Sequence, residues 1–123
     1  MTAFYLWFNA ALYAVFALWC TVRHEHTSRA AGFALTDGSG HSEYLVVYGG
    51  LQVGLAMFYA YLAHQASLHR IGVVFSLMLY APIVAYRIAT ILLHGPVNTV
   101  TKVVAVLELA LLAAALLLWL RAR

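Results

Sequence analysis

Long apolar stretches separated by short polar segments dominate the pattern along the chain. Four windows of roughly 20 mostly apolar residues have the length that crosses a bilayer as a helix, and they cover about residues 3–22, 44–66, 71–93 and 103–120. The one long polar segment, about residues 23–43, carries the Gly, Ser, Thr and Asp residues typical of loops and turns. The other connections are short, which makes successive helices antiparallel neighbours. The pattern therefore predicts an all-α fold: an integral membrane up-down four-helix bundle, forming a single membrane domain over residues 1–123.

Composition excludes the water-soluble classes of protein. Hydrophobic residues make up 65% of the chain and charged residues 9%, with a mean hydropathy of +0.88. A soluble domain has about 25% charged residues, so this chain could not cover a water-facing surface. The expected partner is the lipid bilayer, and no nucleic acid is expected because the basic residues form no patch. Cys20 is the single cysteine, which excludes an internal disulfide and a Cys-rich metal site.

The basic residues at the ends of the spans bear on orientation. With four spans, both termini share one side with the second connection. That side holds Arg70, Arg121 and Arg123, and the opposite side holds Arg23, Arg29 and Lys102. The counts are equal under the positive-inside rule. Because Arg121 and Arg123 adjoin the last span, we expect cytoplasmic termini.

Two charges, Arg87 and Glu108, fall inside the predicted spans. Arg87 lies seven residues before His94, and Glu108 lies six residues after Lys102. At 1.5 Å per residue, both side chains lie about 9–10 Å from the same end of adjacent antiparallel helices. A charge inside a membrane is costly and usually pairs or lines a polar cavity. We therefore predict an Arg87–Glu108 ion pair.

Polar and aromatic side chains on the other spans could face this pair. Tyr44, Tyr48 and Gln52 recur every four residues and share a helix face, and Tyr13 lies on the first span. The predicted site therefore has Tyr48, Gln52, Tyr13, Arg87 and Glu108 as ligand-binding residues, and Glu108 and Arg87 as catalytic candidates. The pair could instead only fix helix register, or form part of a proton or ion path.

Neither a metal nor another cofactor is expected. His24, Glu25 and His26 could offer metal ligands, but their spacing matches no strong metal signature. Gly50 and Gly54 form a small-xxx-small pair on the second span, which permits close helix approach within the bundle or in a homo-oligomer.

The segment Ser42–Leu55, with its Tyr-Gly-Gly-Leu motif at residues 48–51, resembles a family of small four-helix bacterial membrane proteins of unknown function, related to the DoxX-like group. Arg87, Gly95 and Glu108 match the later part of the pattern. Leu45 departs from it, because family members often carry Arg at that position. The resemblance implies a four-helix protein of the bacterial inner membrane and no established reaction. Its wider relatives include sulfur and quinone redox subunits and isomerase-like bundles whose polar pocket binds an apolar ligand.

Three functions follow from these patterns. The first is binding of a small hydrophobic or lipid-like ligand, with isomerase-like proton transfer by Glu108 if the protein is an enzyme. The second is an accessory or structural subunit of a membrane redox or transport complex, docked through a lipid-facing surface that contains Ala110, Ala113, Ala114 and Ala115. The third is a small dimeric transporter, which is disfavoured because the first span has no acidic residue. Whether the protein is an enzyme stays open at this point.

Overall fold

A computed structural model describes residues 1–122, so Arg123, which entered the orientation argument, lies outside the described residues. The described chain is all-α. Its helices are α1 (Thr2–Val22), α2 (His24–Ala30), α3 (Gly38–Leu45), α4 (Leu51–His64), α5 (His69–His94) and α6 (Thr99–Arg121). A π-helical turn, Val46–Gly50, joins α3 to α4, and a 3₁₀ turn, Ala66–Leu68, precedes α5. Four helical stretches are long and apolar enough to cross a membrane: Thr2–Val22, Gly38–His64, Ala66–His94 and Thr99–Arg121.

Two of these stretches begin earlier than the apolar windows because side chains cap their first turns. The Asp37 carboxylate accepts a hydrogen bond from the Gly40 backbone N–H at 2.8 Å and starts α3 at Gly38. The Asn98 side-chain oxygen accepts one from the Thr101 N–H at 2.8 Å and starts α6 at Thr99. Capping satisfies backbone donors that a helix start leaves free. Hydropathy therefore marks the apolar part of each helix, and the caps set its true beginning.

Side-chain contacts show which helix ends lie together. Arg121 Nη1 at the end of α6 lies 3.7 Å from Met1 Sδ at the start of α1. Arg70, at the start of α5, lies over the ring of Trp119 on α6, with 5.4 Å from its guanidinium carbon to the ring centroid. At the opposite end, the Tyr44 hydroxyl on α3 reaches Cys20 near the end of α1. The closest packing is between α1 and α4 and between α5 and α6.

The buried core lies between these two helix pairs. It contains Leu6, Tyr59, Leu62, Tyr80 and Ala115, all at most 2% exposed. Gly72 on α5 lets the two helices pack closely here, because a Cβ at that position would lie 2.7 Å from a methyl carbon of Leu6, which would have to shift.

Some small residues are buried in the interior, and others are exposed on the surface. Ala115 is fully buried, so it belongs to the core and not to the lipid-facing alanine surface suggested by the sequence, whereas Ala110 and Ala113 are exposed. On the second long stretch, a Cβ at Gly49 would lie 2.9 Å from Thr21 Oγ1. Around Gly50 and Gly54 no atom of the described chain lies within 4 Å of such a Cβ. The second long stretch therefore approaches α1 closely at Gly49, whereas no other helix of the described chain packs against Gly50 and Gly54.

Candidate functional site

The site is built on the predicted ion pair, which the structure confirms. Arg87 donates from Nε to Glu108 Oε2 at 2.9 Å and from Nη2 to Glu108 Oε1 at 2.8 Å. This two-bond geometry is the strong, orientation-specific form of an arginine–carboxylate pair. Constant rise per residue on α5 and α6 brings the two side chains to the same depth. The Arg87 side chain is 32% exposed and that of Glu108 is 14% exposed.

A cavity of about 180 Å³ lies beside Arg87. Its walls come from α1, α2, the segment after α2, α3, the π-helical turn, α5 and α6. They are mostly apolar and aromatic, with Arg87 contributing the charge. Arginine has five N–H donors, and two of those in Arg87 are used by Glu108. The other three have no acceptor among the described residues, and Arg87 is part of the cavity wall.

Three aromatic rings form one wall of the cavity. Tyr44 and Tyr48 stack with their centroids 4.6 Å apart and their planes 15° from parallel. Phe33 meets both of them edge-on, at 6.1 Å from Tyr44 and 5.7 Å from Tyr48. These rings present an apolar surface next to the arginine. The site therefore combines an apolar wall with a directional donor, the usual composition of a small-molecule pocket.

The polar segment after α1 folds over the cavity and does not extend away from it. Thr27 and Ser28 of α2 are buried. The Tyr44 hydroxyl donates to Thr27 Oγ1 at 2.9 Å, and Asn98 Nδ2 donates to the Ala30 carbonyl at 2.8 Å. We call the residues of α2 and the following stretch to Phe33 the cap segment. It closes one end of the cavity.

The structure brings some of the predicted site residues together and separates others. Arg87 and Tyr48 line the cavity, and Glu108 holds Arg87 from behind it. Gln52 does not line the cavity, because its side-chain nitrogen donates to the Val47 carbonyl at 3.2 Å. Tyr13 does not line it either: its ring stacks on Tyr59 in the core, 5.7 Å between centroids.

The π-helical turn explains why Gln52 leaves the predicted face. Its hydrogen bonds reach back five residues and not four, so it inserts one extra residue into the helix. Each residue rotates an α-helix by about 100°, and side chains after the turn point in a different direction. Tyr44 and Tyr48 keep a common face, and Gln52 does not join them.

A second polar centre lies in the core, and it is fully hydrogen-bonded. The Tyr80 hydroxyl donates to Asn9 Oδ1, and Asn9 Nδ2 donates to the Tyr5 carbonyl at 2.8 Å. Tyr59 and Ser76 share a hydrogen bond of 3.0 Å between their oxygens. No buried side-chain nitrogen or oxygen of the described residues lacks a partner. We therefore interpret this centre as a structural network that links α1, α4 and α5.

The histidines of α2 and α3 do not assemble a metal site in the described residues. His24 and His41 meet edge-on at 5.3 Å between ring centroids. No third His, Cys, Asp or Glu side chain of residues 1–122 completes a group that could hold a metal ion.

Several residues that line the cavity were not predicted from the sequence. They are Phe16, Trp19, Cys20, Thr27, Ala30, Ala31, Phe33, Tyr44, Val100, Thr101 and Val104. Two signals in the sequence were usable: the four-residue spacing of Tyr44 and Tyr48, and Phe33, an aromatic residue within an otherwise polar connection.

No curated protein and no solved structure matches the chain. The sequence model of the family described as a domain of unknown function (DUF4345) matches residues 1–120, so the chain belongs to that family.

Proposed function

We propose that this protein crosses a membrane as an up-down four-helix bundle and binds the polar head of a small amphipathic molecule beside Arg87. The four long apolar stretches and the helix ends that meet at Met1, Arg121 and Trp119 support the transmembrane arrangement. A place in the bacterial inner membrane and a distant relation to the DoxX-like group belong to the same proposal. They are supported by the four-helix layout and by the motif around Tyr48.

The observation that carries the binding proposal is the set of unused Arg87 donors in an aromatic cavity. Glu108 fixes the guanidinium through two bonds and neutralises its charge. The remaining N–H groups belong to a neutral pair, and Arg87 is part of the cavity wall. Such donors favour the carbonyl or hydroxyl oxygen of an uncharged head group over a free anion, because a second negative charge would compete with Glu108.

The volume of the cavity limits what enters. About 180 Å³ equals roughly six water molecules at ~30 Å³ each, and it is smaller than the ~300–1,000 Å³ of drug-sized pockets. A polar head and the first few carbon atoms would fit, and a long apolar chain would extend into the lipid. The expected ligand class is therefore a neutral amphiphile.

Proton transfer by Glu108 is the catalytic version of this proposal. Both Glu108 oxygens accept hydrogen bonds from Arg87, and Glu108 is not among the residues that line the cavity, so Glu108 would have to move toward the cavity before it could take a proton from a bound ligand. A ligand oxygen that binds the Arg87 donors could weaken that pair. The geometry therefore gives Arg87 the primary role in binding and makes any chemistry conditional on opening the pair.

The test uses a monoacylglycerol as the probe, with retention on the purified protein measured by native mass spectrometry. We expect wild type to retain one molecule, Arg87→Met to lose at least tenfold in affinity, and Glu108→Gln to keep binding. Arg29→Met, at an exposed site on the cap segment, is the matched control and should bind like wild type. Equal binding by wild type and Arg87→Met would contradict the proposal.

A further inference from the structure

A long apolar groove runs between α1 and α6 at the end of the molecule away from the cap segment. Its volume is about 730 Å³, and its surface is almost entirely hydrocarbon. On α6 it extends from Leu107 to Leu118 and ends at Arg121. Eleven residues of helix span about 16 Å, close to the ~15 Å of one leaflet of a 30 Å hydrocarbon core. The groove is therefore as long as an acyl chain that occupies one leaflet.

The groove exists because α1 and α6 meet through few contacts along this part. The Tyr5 hydroxyl donates to the Leu111 carbonyl at 3.0 Å, which bridges the two helices at the floor. The small side chains of Ala110 and Ala114 on α6 do not fill the space between α6 and the rings of Phe4 and Phe8 on α1.

A positive charge stands at the open end of this groove. Arg121 lines the end itself, and Arg70 lies at the same end of the bundle but outside the groove, over the Trp119 ring. Both arginines are exposed. The chain has four acidic residues, and none is at this end: Glu25, Asp37 and Glu43 are in or near the connection after α1, and Glu108 is paired with Arg87. An arginine with no acidic side chain of the described residues near it, at the end of an apolar groove, complements an anionic lipid.

We propose that the α1–α6 groove seats an acyl chain of an anionic phospholipid whose phosphate contacts Arg121. The inference rests on the proposed membrane insertion and is independent of the Arg87 cavity. Basic residues at a membrane surface attract anionic lipid by an amount that corresponds to about fivefold in affinity per charge. The apolar groove supplies the site, and Arg121 supplies the selectivity.

The experiment compares phosphatidylglycerol with phosphatidylcholine, each added to delipidated protein in detergent, with bound lipid counted by native mass spectrometry. Wild type should prefer phosphatidylglycerol by about fivefold. Arg121→Gln should remove most of that preference, whereas Arg29→Gln, at the opposite end, should not change it. Because Arg121→Gln leaves the apolar walls of the groove unaltered, this comparison does not depend on repacking.

A second pair of variants tests the groove itself. Ala110 lines the groove and Ala113 does not, yet both are exposed alanines on α6. Ala110→Phe should lose binding of both lipids, and Ala113→Phe should retain it, with helix content checked by circular dichroism.

Several results would overturn the inference. They are equal affinity of wild type for the two lipids, equal loss in Ala110→Phe and Ala113→Phe, or a wild-type dimer that Ala110→Phe converts to monomer, which would make the groove a contact between copies. Failure of membrane insertion itself would appear separately, as protein that stays in solution without detergent. Arg87→Met should leave the lipid preference unchanged, so a negative result for one proposed site would not count against the other.

Discussion

At the residue scale, Arg87 both pairs with Glu108 and faces the cavity. The pair is only partly buried, since Arg87 is 32% exposed and Glu108 14% exposed. Its contribution to stability should therefore lie between the ~0–1 kcal/mol of surface pairs and the ~3–5 kcal/mol lost when one partner of a buried pair is removed. The depth argument could predict this pair, because helix rise is nearly constant. It could not predict which donors of Arg87 remain unused.

A double-mutant cycle measures the structural part of the pair. Arg87→Met and Glu108→Leu should each lower the free energy of unfolding by about 1–3 kcal/mol, because each leaves one charge without its partner. The double variant should lose less than the sum of the two by at least 1 kcal/mol. Unfolding in mixed detergent micelles is the measurement. Strict additivity would show that the two side chains do not interact in solution.

At the element scale, the cap segment and the π-helical turn place the aromatic wall next to the arginine. Neither could be predicted from hydropathy. The seven residues of α2 (His24–Ala30) show no periodic pattern of apolar side chains, yet Thr27 and Ser28 are buried. The π turn at Val46–Gly50 shifts the helix register, which no α-helical spacing argument contains. The apolar windows predicted the four long helices well because their signal is strong and local.

Asn98 ties the cap segment to α6 and also caps that helix, so two substitutions separate its roles. Asn98→Asp keeps an oxygen for the Thr101 N–H and loses the donor to the Ala30 carbonyl. It should leave stability within about 0.5 kcal/mol of wild type, since the helix cap is retained, while amide exchange in residues 24–33 accelerates. Asn98→Ala should show the same acceleration and lose about 1 kcal/mol more. Unchanged exchange in both variants would show that this hydrogen bond does not hold the cap segment.

Glycine substitutions test the packing of α5 against α1. Gly72→Ala would place a methyl group 2.7 Å from buried Leu6, whereas Gly54→Ala meets no described atom within 4 Å. Alanine gains about 1 kcal/mol over glycine in a helix, and overpacking costs about 1–3 kcal/mol. We expect Gly54→Ala to be neutral or stabilising and Gly72→Ala to be less stable than it by about 2 kcal/mol. Thermal unfolding in detergent compares them, and equal midpoints would contradict the observed packing.

At the scale of the whole molecule, charge and apolar surface are arranged along the bundle axis. The basic groove end carries Arg70 and Arg121, and the cap end carries basic and acidic residues together. Many large apolar side chains are exposed around the bundle, among them Phe4, Leu92, Leu93 and Leu120. In water such a surface would be an aggregation liability, and in a membrane it is the expected lipid contact. The exposed apolar surface is therefore the surface expected of a membrane protein.

The predicted orientation is testable with reporter fusions. A fluorescent protein that folds only in the cytoplasm, fused after the last helix, should be bright, and a phosphatase that is active only outside it should be inactive there. The same pair of reporters inserted in the connection between α2 and α3 should give the reverse result, because an even number of spans leaves both termini on one side. Matching reporter signals at the two positions would rule out the four-span arrangement.

The central claim is that the cavity beside Arg87 holds the head of a neutral amphiphile. An experimental density map of the protein in lipid nanodiscs tests it most directly. We predict density within hydrogen-bond distance of the free Arg87 nitrogens, enclosed by Phe33, Tyr44 and Tyr48 and continuing as a chain toward the lipid, with the Arg87–Glu108 pair intact. A cavity that contains only water, or an Arg87 turned away from it, would contradict the claim.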